Sequence, residues 1–146
     1  MSALDALLDI EHDTGTKEQP LFFVQPPDGR RNWPEDRRQT VLFRELRLWA
    51  NGVDGFHIPN AGKQNPMKAL ASGKKAGPFD CEFSWGNRGI AWVELKGYTA
   101  DGRAGALSPE QIRWGNIKTR QGFDVACFFD PMAAIEWLRS LGAPVG

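Results

Sequence analysis

Asp80, Glu94 and Lys96 have the residue types and the spacing of a site that binds a divalent cation. Residues 79–85 alternate apolar and polar side chains as a strand does, the next three residues (Gly-Asn-Arg) are typical of a turn, and residues 89–96 form the return strand. Counting outward from a three-residue hairpin loop places Asp80 opposite Glu94. Lys96, two residues beyond Glu94, projects from the same face. The sequence therefore predicts two carboxylates and an ammonium group side by side on one strand pair.

The opposed carboxylates are the reason to expect a metal. Side chains directly opposite each other in an antiparallel pair have Cβ atoms roughly 4.5–5.5 Å apart, and like charges at that separation destabilise the pair. A cation between Asp80 and Glu94 would remove this repulsion. The hairpin alone therefore predicts a metal at these two residues.

A helix that is predicted to begin near Pro34 and to end before Gly52 supplies a further acid. The helical spacing gives it one inward-facing stripe, which consists of Glu35, Gln39, Leu42, Leu46 and Trp49. An acid on a core-facing stripe needs a partner, and a metal would provide one. The alternative is that Glu35 only complements the helix macrodipole. Glu45, in the same helix, is an alternative to Glu35, but it lies beside the stripe, where a surface acid is expected.

A capping box marks the start of a second helix. Ser108 is the predicted N-cap and Pro109 the first helical residue. Gln111 occupies the third helical position and completes the box, and Gly122 is the expected residue after the C-cap. For Gln111, capping the helix and supporting an active site are compatible roles. Before this helix, residues 97–107 form a glycine-rich loop that is long enough to move over a substrate.

The remaining segments complete an α/β pattern. The predicted elements are an amphipathic helix over 2–11, an arm over 14–33, a short strand over 56–58, a buried strand over 124–129 and a last helix over 131–141 with Met132, Ile135 and Leu138 inward. The arm either pairs as an edge strand, contacts a partner or lacks order. The order of the elements predicts a single α/β domain with a mixed central β-sheet flanked by helices. We place this domain at residues 34–146 and the first helix and arm at residues 1–33.

The composition and the charge distribution narrow the class of protein. The chain has no net charge and no apolar run near the ~20 residues of a membrane span, and it lacks the features of a signal peptide. Cys81 and Cys127 lie in apolar runs, which predicts buried thiols in a reducing compartment, and the absence of a Cys-x-x-Cys pair argues against zinc. Residues 56–79 contain four lysines and no acid. This segment is either a solvated loop or a source of positive charge for a polyanionic substrate.

Five segments, in this order and spacing, resemble the VRR-NUC branch of the PD-(D/E)xK nuclease superfamily. They are Glu35-x-x-x-Gln39, residues 58–63 (Ile-Pro-Asn-Ala-Gly-Lys), residues 75–80 (Lys-Ala-Gly-Pro-Phe-Asp), Glu94-Leu95-Lys96 and residues 107–111 (Leu-Ser-Pro-Glu-Gln). The resemblance covers roughly residues 35 to 140. One departure is that Phe79 separates the proline from Asp80, whereas the family usually has Gly-x-Pro-Asp.

The resemblance implies the αβββαβ restriction-endonuclease-like core. It also implies hydrolysis of DNA phosphodiester bonds with Mg²⁺ or Mn²⁺ and without an organic cofactor. Stand-alone members of the branch resemble small homodimeric endonucleases that act on structured or branched DNA, as nickases or junction-resolving enzymes. The implied partners are therefore DNA and a second copy of the chain, with no membrane involved. The implied location is the cytoplasm of a bacterium, or of the host if the chain is phage-encoded.

By position, the resemblance assigns a role to each candidate catalytic residue. Asp80 matches the central metal ligand, Glu94 the second ligand and Lys96 the catalytic lysine. Glu35 matches the acid of the first helix, and Gln111 matches the helix glutamine. The implied metal ligands are Asp80, Glu94, the backbone carbonyl of Leu95 and, directly or through water, Glu35. Lys96 would position or help deprotonate the attacking water and offset the phosphate charge.

Contacts to DNA are expected to be mainly contacts to phosphates, which fix the position of the duplex without reading its sequence. The candidate DNA-binding residues are Lys63, Lys74, Lys75, Asn60, Arg113 and Lys118, followed by Arg120 and Arg103.

Two other classes of function compete with a nuclease. One is a catalytically silent nucleic-acid-binding module that uses the same fold. The other is an interaction subunit that uses the arm or a tryptophan-rich surface as its contact. A silent scaffold has no reason to retain opposed acids on one face, which favours the enzyme. Metal binding that depends on Asp80 would distinguish these classes.

Overall fold

The computed structural model describes residues 17–58 and 77–146. Its helices are α1 (Glu35–Trp49), α2 (Pro109–Arg120) and α3 (Pro131–Ser140), and its strands are β1 (Phe23–Val24), β2 (Asp54–His57), β3 (Cys81–Trp85), β4 (Gly89–Leu95) and β5 (Asp124–Phe128). The strands form one five-stranded sheet in the order β1-β5-β4-β3-β2. β3 pairs antiparallel with β2 and β4, whereas β5 pairs parallel with β4 and β1. The predicted single α/β domain with a mixed sheet is confirmed, while the helix predicted over residues 2–11 lies outside the described residues.

The β3–β4 hairpin has the register that the turn predicts. Trp85 pairs with Gly89 across a loop of residues 86–88, and the pairing continues along both strands. The next pair beyond the end of β3 is therefore Asp80 and Glu94. Because a shift of one residue would move every side chain to the other face, this register is what brings the two acids together.

Helices cover both faces of the sheet. α1 and α3 pack on one face, over a core that includes Leu42, Leu46, Phe83, Val93 and Leu138. α2 packs on the other face, where the buried side chains are Phe79, Trp92 and Val125. Residues 91–95 of β4 are all buried because the strand lies between these two layers, and this explains why its sequence is nearly continuous in apolar residues. Among the described residues, no helix has the length and apolar character that a membrane span requires.

Two of the side chains predicted to face inward do not. Trp49 is 59% exposed, because its indole N–H donates to Glu45 Oε2 at 3.0 Å and this contact holds the ring along the outside of α1. Met132 is 48% exposed, because it lies one position away from the buried stripe of α3. That stripe consists of Pro131, Ala134, Ile135 and Leu138.

The described part of the arm is built into the domain. β1 pairs in parallel with β5, which confirms the predicted edge strand. Asn116 of α2 is fully buried, and its side-chain amide accepts the Leu21 N–H at 2.7 Å and donates to the Gln19 carbonyl at 2.9 Å. These contacts attach the arm to α2 as well as to the sheet.

The glycine-rich loop after β4 folds back on itself and meets the start of α1. Tyr98 bridges to Ala104, and the Gly105 N–H donates to the Gly97 carbonyl at 2.8 Å. A Cβ atom on Gly97 would lie 2.4 Å from the backbone nitrogen of Glu35. The missing side chain at Gly97 therefore allows α1 to begin directly against the end of β4.

We expect Gly97→Ala to lower the free energy of unfolding by about 1–3 kcal/mol, because the added methyl group overlaps backbone atoms that move only if α1 moves. Gly86→Ala is the matched control. It lies in the hairpin loop, where no atom comes within 4 Å of an added Cβ, and its effect should stay within about 0.5 kcal/mol. Urea unfolding followed by tryptophan fluorescence measures both variants. A Gly97→Ala protein as stable as the wild type would contradict the close approach.

Candidate metal centre

Three carboxylates meet where α1 begins and β4 ends. Glu35, Asp80 and Glu94 each offer one oxygen atom, and these oxygens all lie within 4.8 Å of one another. Glu35 is the first residue of α1, Asp80 directly precedes β3 and Glu94 is the penultimate residue of β4. Glu45, the alternative acid of α1, interacts instead with neighbours on its own helix. The structure thus brings together the three acids singled out in the sequence and leaves Glu45 outside.

Glu94 is the buried member of the cluster, with 1% of its surface exposed. Its Oε2 accepts the backbone N–H of Asp80 at 2.9 Å, and its Oε1 accepts Gln111 Nε2 at 2.9 Å. Burial and, after it, the negative charge of Asp80 raise the pKa of Glu94 to about 7, against the opposing effect of the Lys96 ammonium group. The carboxyl group therefore titrates near neutral pH.

The pKa of Glu35 is shifted in the same direction. Burial raises the pKa of its carboxyl group above the ordinary value, and the charge and hydrogen bonding of Asp80 raise it too, whereas the Lys96 ammonium group lowers it. Burial is the largest cause of both raised pKa values and the charge of Asp80 adds to it, so added positive charge would stabilise the ionised carboxylates. A divalent cation is the kind of ligand that would supply it.

One amide side chain holds Lys96 at the cluster. Gln111 Oε1 accepts Lys96 Nζ at 3.0 Å and the backbone N–H of Ser108 at 3.0 Å. The backbone N–H of Gln111 in turn donates to Ser108 Oγ at 3.1 Å, so the predicted capping box is confirmed. Lys96 Nζ lies 3.4 Å from Glu94 Oε1. A glutamate in place of Gln111 would cap the helix but would add a further negative charge against Glu94.

Aromatic packing fixes the approach to Asp80. Phe79, the residue that separates the proline from the aspartate, is fully buried, and its ring centroid lies 5.1 Å from that of Trp114 and 5.4 Å from that of Phe22. On the other side, the Ile58 N–H donates to the Asp80 carbonyl at 2.6 Å. Phe79 therefore anchors the chain one residue before the metal-ligand candidate.

The donor set of the site consists of oxygen atoms. Cys127 pairs with Glu94 in the sheet, but burial raises the pKa of its thiol to about 12, and burial also raises the pKa of Cys81. The prediction of two buried free thiols is confirmed, and neither offers a thiolate at neutral pH. Leu95, whose carbonyl is a candidate ligand, is the last residue of β4. Oxygen donors fit hard cations such as Mg²⁺ and Mn²⁺.

The candidate DNA-binding residues are described only in part. Lys118 Nζ lies 5.5 Å from the Trp92 ring, 5.6 Å from the Trp114 ring and 5.8 Å from the Phe123 ring, where it makes cation–π contacts. Arg113 Nε lies 4.0 Å from a carboxylate oxygen of the arm residue Glu18. Arg120 Nη2 lies 3.9 Å from Glu18 Oε1, and Arg103 Nε lies 2.9 Å from Asp101 Oδ2. The remaining four candidates, Asn60, Lys63, Lys74 and Lys75, lie outside the described residues.

Two buried or half-buried polar residues near the site were not predicted from the sequence. Glu82 is half-buried, and its Oε2 accepts Trp92 Nε1 at 3.2 Å. The same count that pairs Asp80 with Glu94 also pairs Glu82 with Trp92, so this contact was predictable. Arg38 is fully buried, and the only sequence signal for it is its position four residues before Leu42.

Comparisons of the chain with protein-family models, with curated proteins and with solved structures find no match.

In metal-free buffer, the stability that Glu94 contributes is expected to fall as the pH rises through about 7. The folded pKa of Glu94 lies above its ordinary value of 4.5, so the contribution is fully present below about pH 4.5 and is lost as the pH rises through about 7. Glu94→Gln removes this titration. Its stability relative to the wild type should therefore increase across this window, by on the order of 3 kcal/mol.

Urea unfolding in EDTA, at about pH 5 and about pH 8, measures this difference. Asp28 has a lowered pKa and titrates in the opposite sense, but below its ordinary value of 3.8, so it does not contribute within the window. The same pH dependence in the wild type and in Glu94→Gln would contradict the raised pKa.

Proposed function

We propose that this chain is a Mg²⁺- or Mn²⁺-dependent endonuclease that hydrolyses DNA phosphodiester bonds, of the VRR-NUC type within the PD-(D/E)xK superfamily. One juxtaposition carries the proposal: three carboxylates with oxygens within 4.8 Å of one another, and a lysine ammonium group 3.4 Å from the buried one. Hydrolysis of a phosphodiester requires both a cation and a group that acts on the attacking water.

The three carboxylates suit the metal. Asp80, Glu94 and Glu35 would hold it through oxygen atoms, with the Leu95 carbonyl as a further ligand. Burial and, after it, the charge of Asp80 raise the pKa values of Glu94 and Glu35, and a bound cation would stabilise the ionised carboxylates that this environment disfavours. Bound there, the cation would supply charge neutralisation and Lewis-acid activation of the phosphodiester.

Lys96 is the second reactive group. Its side chain is 13% exposed, so the ammonium group is held at the cluster and yet remains accessible from solvent. The Gln111 carbonyl oxygen at 3.0 Å directs it toward Glu94. A compact ammonium group in this place offsets the charge of a phosphate and orients the attacking water, whereas only the neutral amine form of Lys96 would deprotonate that water.

The proposed substrate and oligomeric state are inferred from the family resemblance rather than from the geometry of the site. We infer structured or branched DNA, cut by a nickase or junction-resolving activity, and a homodimer, because a symmetric junction offers two equivalent strands. We also infer that the protein acts in the cytoplasm. Its two free, buried thiols support a reducing compartment.

Cleavage of labelled DNAs tests the proposed activity. The panel contains duplex, single-stranded, flap and four-way-junction DNA with Mg²⁺, Mn²⁺ or EDTA. We expect cutting that requires the metal and that falls at least about 100-fold in Lys96→Ala. Lys17→Ala, an exposed lysine of the arm, is the matched control and should cut as the wild type does. No cutting of any substrate, with DNA binding retained, would instead favour the silent binding module.

Measuring metal binding directly distinguishes coordination by specific residues from attraction by net negative charge. Asp80→Asn should reduce the affinity for Mn²⁺ by at least about tenfold, as measured by calorimetry or electron paramagnetic resonance. Glu82→Gln is the matched control, because Glu82 lies on the same strand face but its carboxylate accepts Trp92 Nε1 and is not part of the cluster. An equal loss in both variants would mean that net negative charge, and not a site, attracts the cation.

A further inference from the structure

Arg38 has no exposed surface, and each of its N–H groups has an acceptor. Nε donates to the Trp33 carbonyl at 2.9 Å. Nη1 donates to Asp28 Oδ2 and to the Phe129 carbonyl, both at 2.6 Å. Nη2 donates to Asp28 Oδ1 at 3.1 Å and to the Arg30 carbonyl at 3.0 Å. The guanidinium group therefore joins the turn before α1 to the residue that follows β5.

The partners of Arg38 surround the start of α1, where Glu35 lies one turn before Arg38. The Trp33 carbonyl that accepts Arg38 Nε also accepts the Tyr98 N–H at 3.2 Å. Tyr98 follows Gly97, the residue against which α1 begins. The guanidinium group thus fixes the chain that enters α1, which carries Glu35, against the chain that leaves β4, which carries Glu94 and Lys96.

The Arg38–Asp28 pair contributes more to the positions of its groups than to the stability of the fold. A buried ion pair often stabilises a protein no more than well-packed apolar residues do, because both charges lose their hydration. A bidentate arginine–carboxylate pair does fix the plane and the position of both groups. Partial burial opposes ionisation of Asp28, but the Arg38 hydrogen bonds, with the Arg30 N–H, hold its pKa below the ordinary value. Asp28 is therefore ionised and bound to Arg38 at neutral pH.

We propose that Arg38 and Asp28 are positioning residues for the metal centre. Together they hold Glu35 beside Asp80 and Glu94, against the repulsion among the three carboxylates. Neither residue belongs to the three-acid cluster; both act through Glu35. This inference rests on the proposed metal site and extends that site to a turn outside α1.

A double-mutant cycle on the affinity for Mn²⁺ tests the inference. Asp28→Asn keeps the size of the side chain but removes its charge and one acceptor, and we expect the affinity to fall about 10–100-fold. In a Glu35→Gln background, the same change should alter the affinity by less than about twofold, because the ligand through which it acts is gone. A purely structural role would lower the affinity equally in both backgrounds.

Two further variants keep the test decisive. Glu136→Gln removes an exposed carboxylate that pairs with Arg139 on α3, and it should bind Mn²⁺ as the wild type does. If Asp28→Asn does not fold, as judged by circular dichroism, Arg38→Lys replaces it, because lysine keeps the charge but loses the bidentate geometry. The affinity of Arg38→Lys should fall in the same range, and only when Glu35 is present.

The outcomes distinguish this inference from the proposed function. Wild-type affinity in the Asp28 variant, or an equal loss in the two backgrounds, would overturn the positioning role and leave the nuclease proposal standing. A wild-type protein that binds no Mn²⁺ would overturn both.

Discussion

Repulsion among three carboxylates at one point is the constraint on which the rest of the structure depends. Like charges repel strongly where water is excluded, and Glu94 is almost fully buried. The chain opposes this repulsion with the Asp80 N–H, the Gln111 amide and the Lys96 ammonium group, all of which converge on Glu94. These groups do not offset the combined effect of burial and of the neighbouring negative charge, so the pKa values of Glu94 and Glu35 remain raised.

The acids come from separate parts of the chain, and each has its own anchor. The missing side chain at Gly97 admits the start of α1, buried Phe79 fixes Asp80, and the strand register fixes Glu94. An unfolded chain would not bring these oxygens together, so a cation that needs all of them binds the folded state preferentially. In the proposed function, metal binding and folding are therefore linked, and each stabilises the other.

Some features of the site depend only on local spacing and could be predicted from the sequence. They are the hairpin register, the capping box and the acid at the start of α1. Tertiary features could not be predicted. Helical spacing shows which side of a helix faces inward but not which side chains find other partners, so Trp49 and Met132 were misplaced. Arg38 lies four residues before Leu42, on the inward side of α1, but a charged residue is ordinarily assigned to the surface. Its partner Asp28 lies in a turn without periodicity, where no pattern connects the two.

The turn that contains Asp28 bears on where an autonomous unit of this protein can begin. A fragment that started at Pro34 would retain all the acids of the cluster and the lysine beside them. It would nevertheless bury the Arg38 guanidinium group without its carboxylate and without the turn carbonyls, and loss of one partner of a buried ion pair costs about 3–5 kcal/mol. Truncation experiments and chimeras that transfer this centre to another protein should therefore start upstream of Asp28, even though Asp28 is not one of the clustered acids.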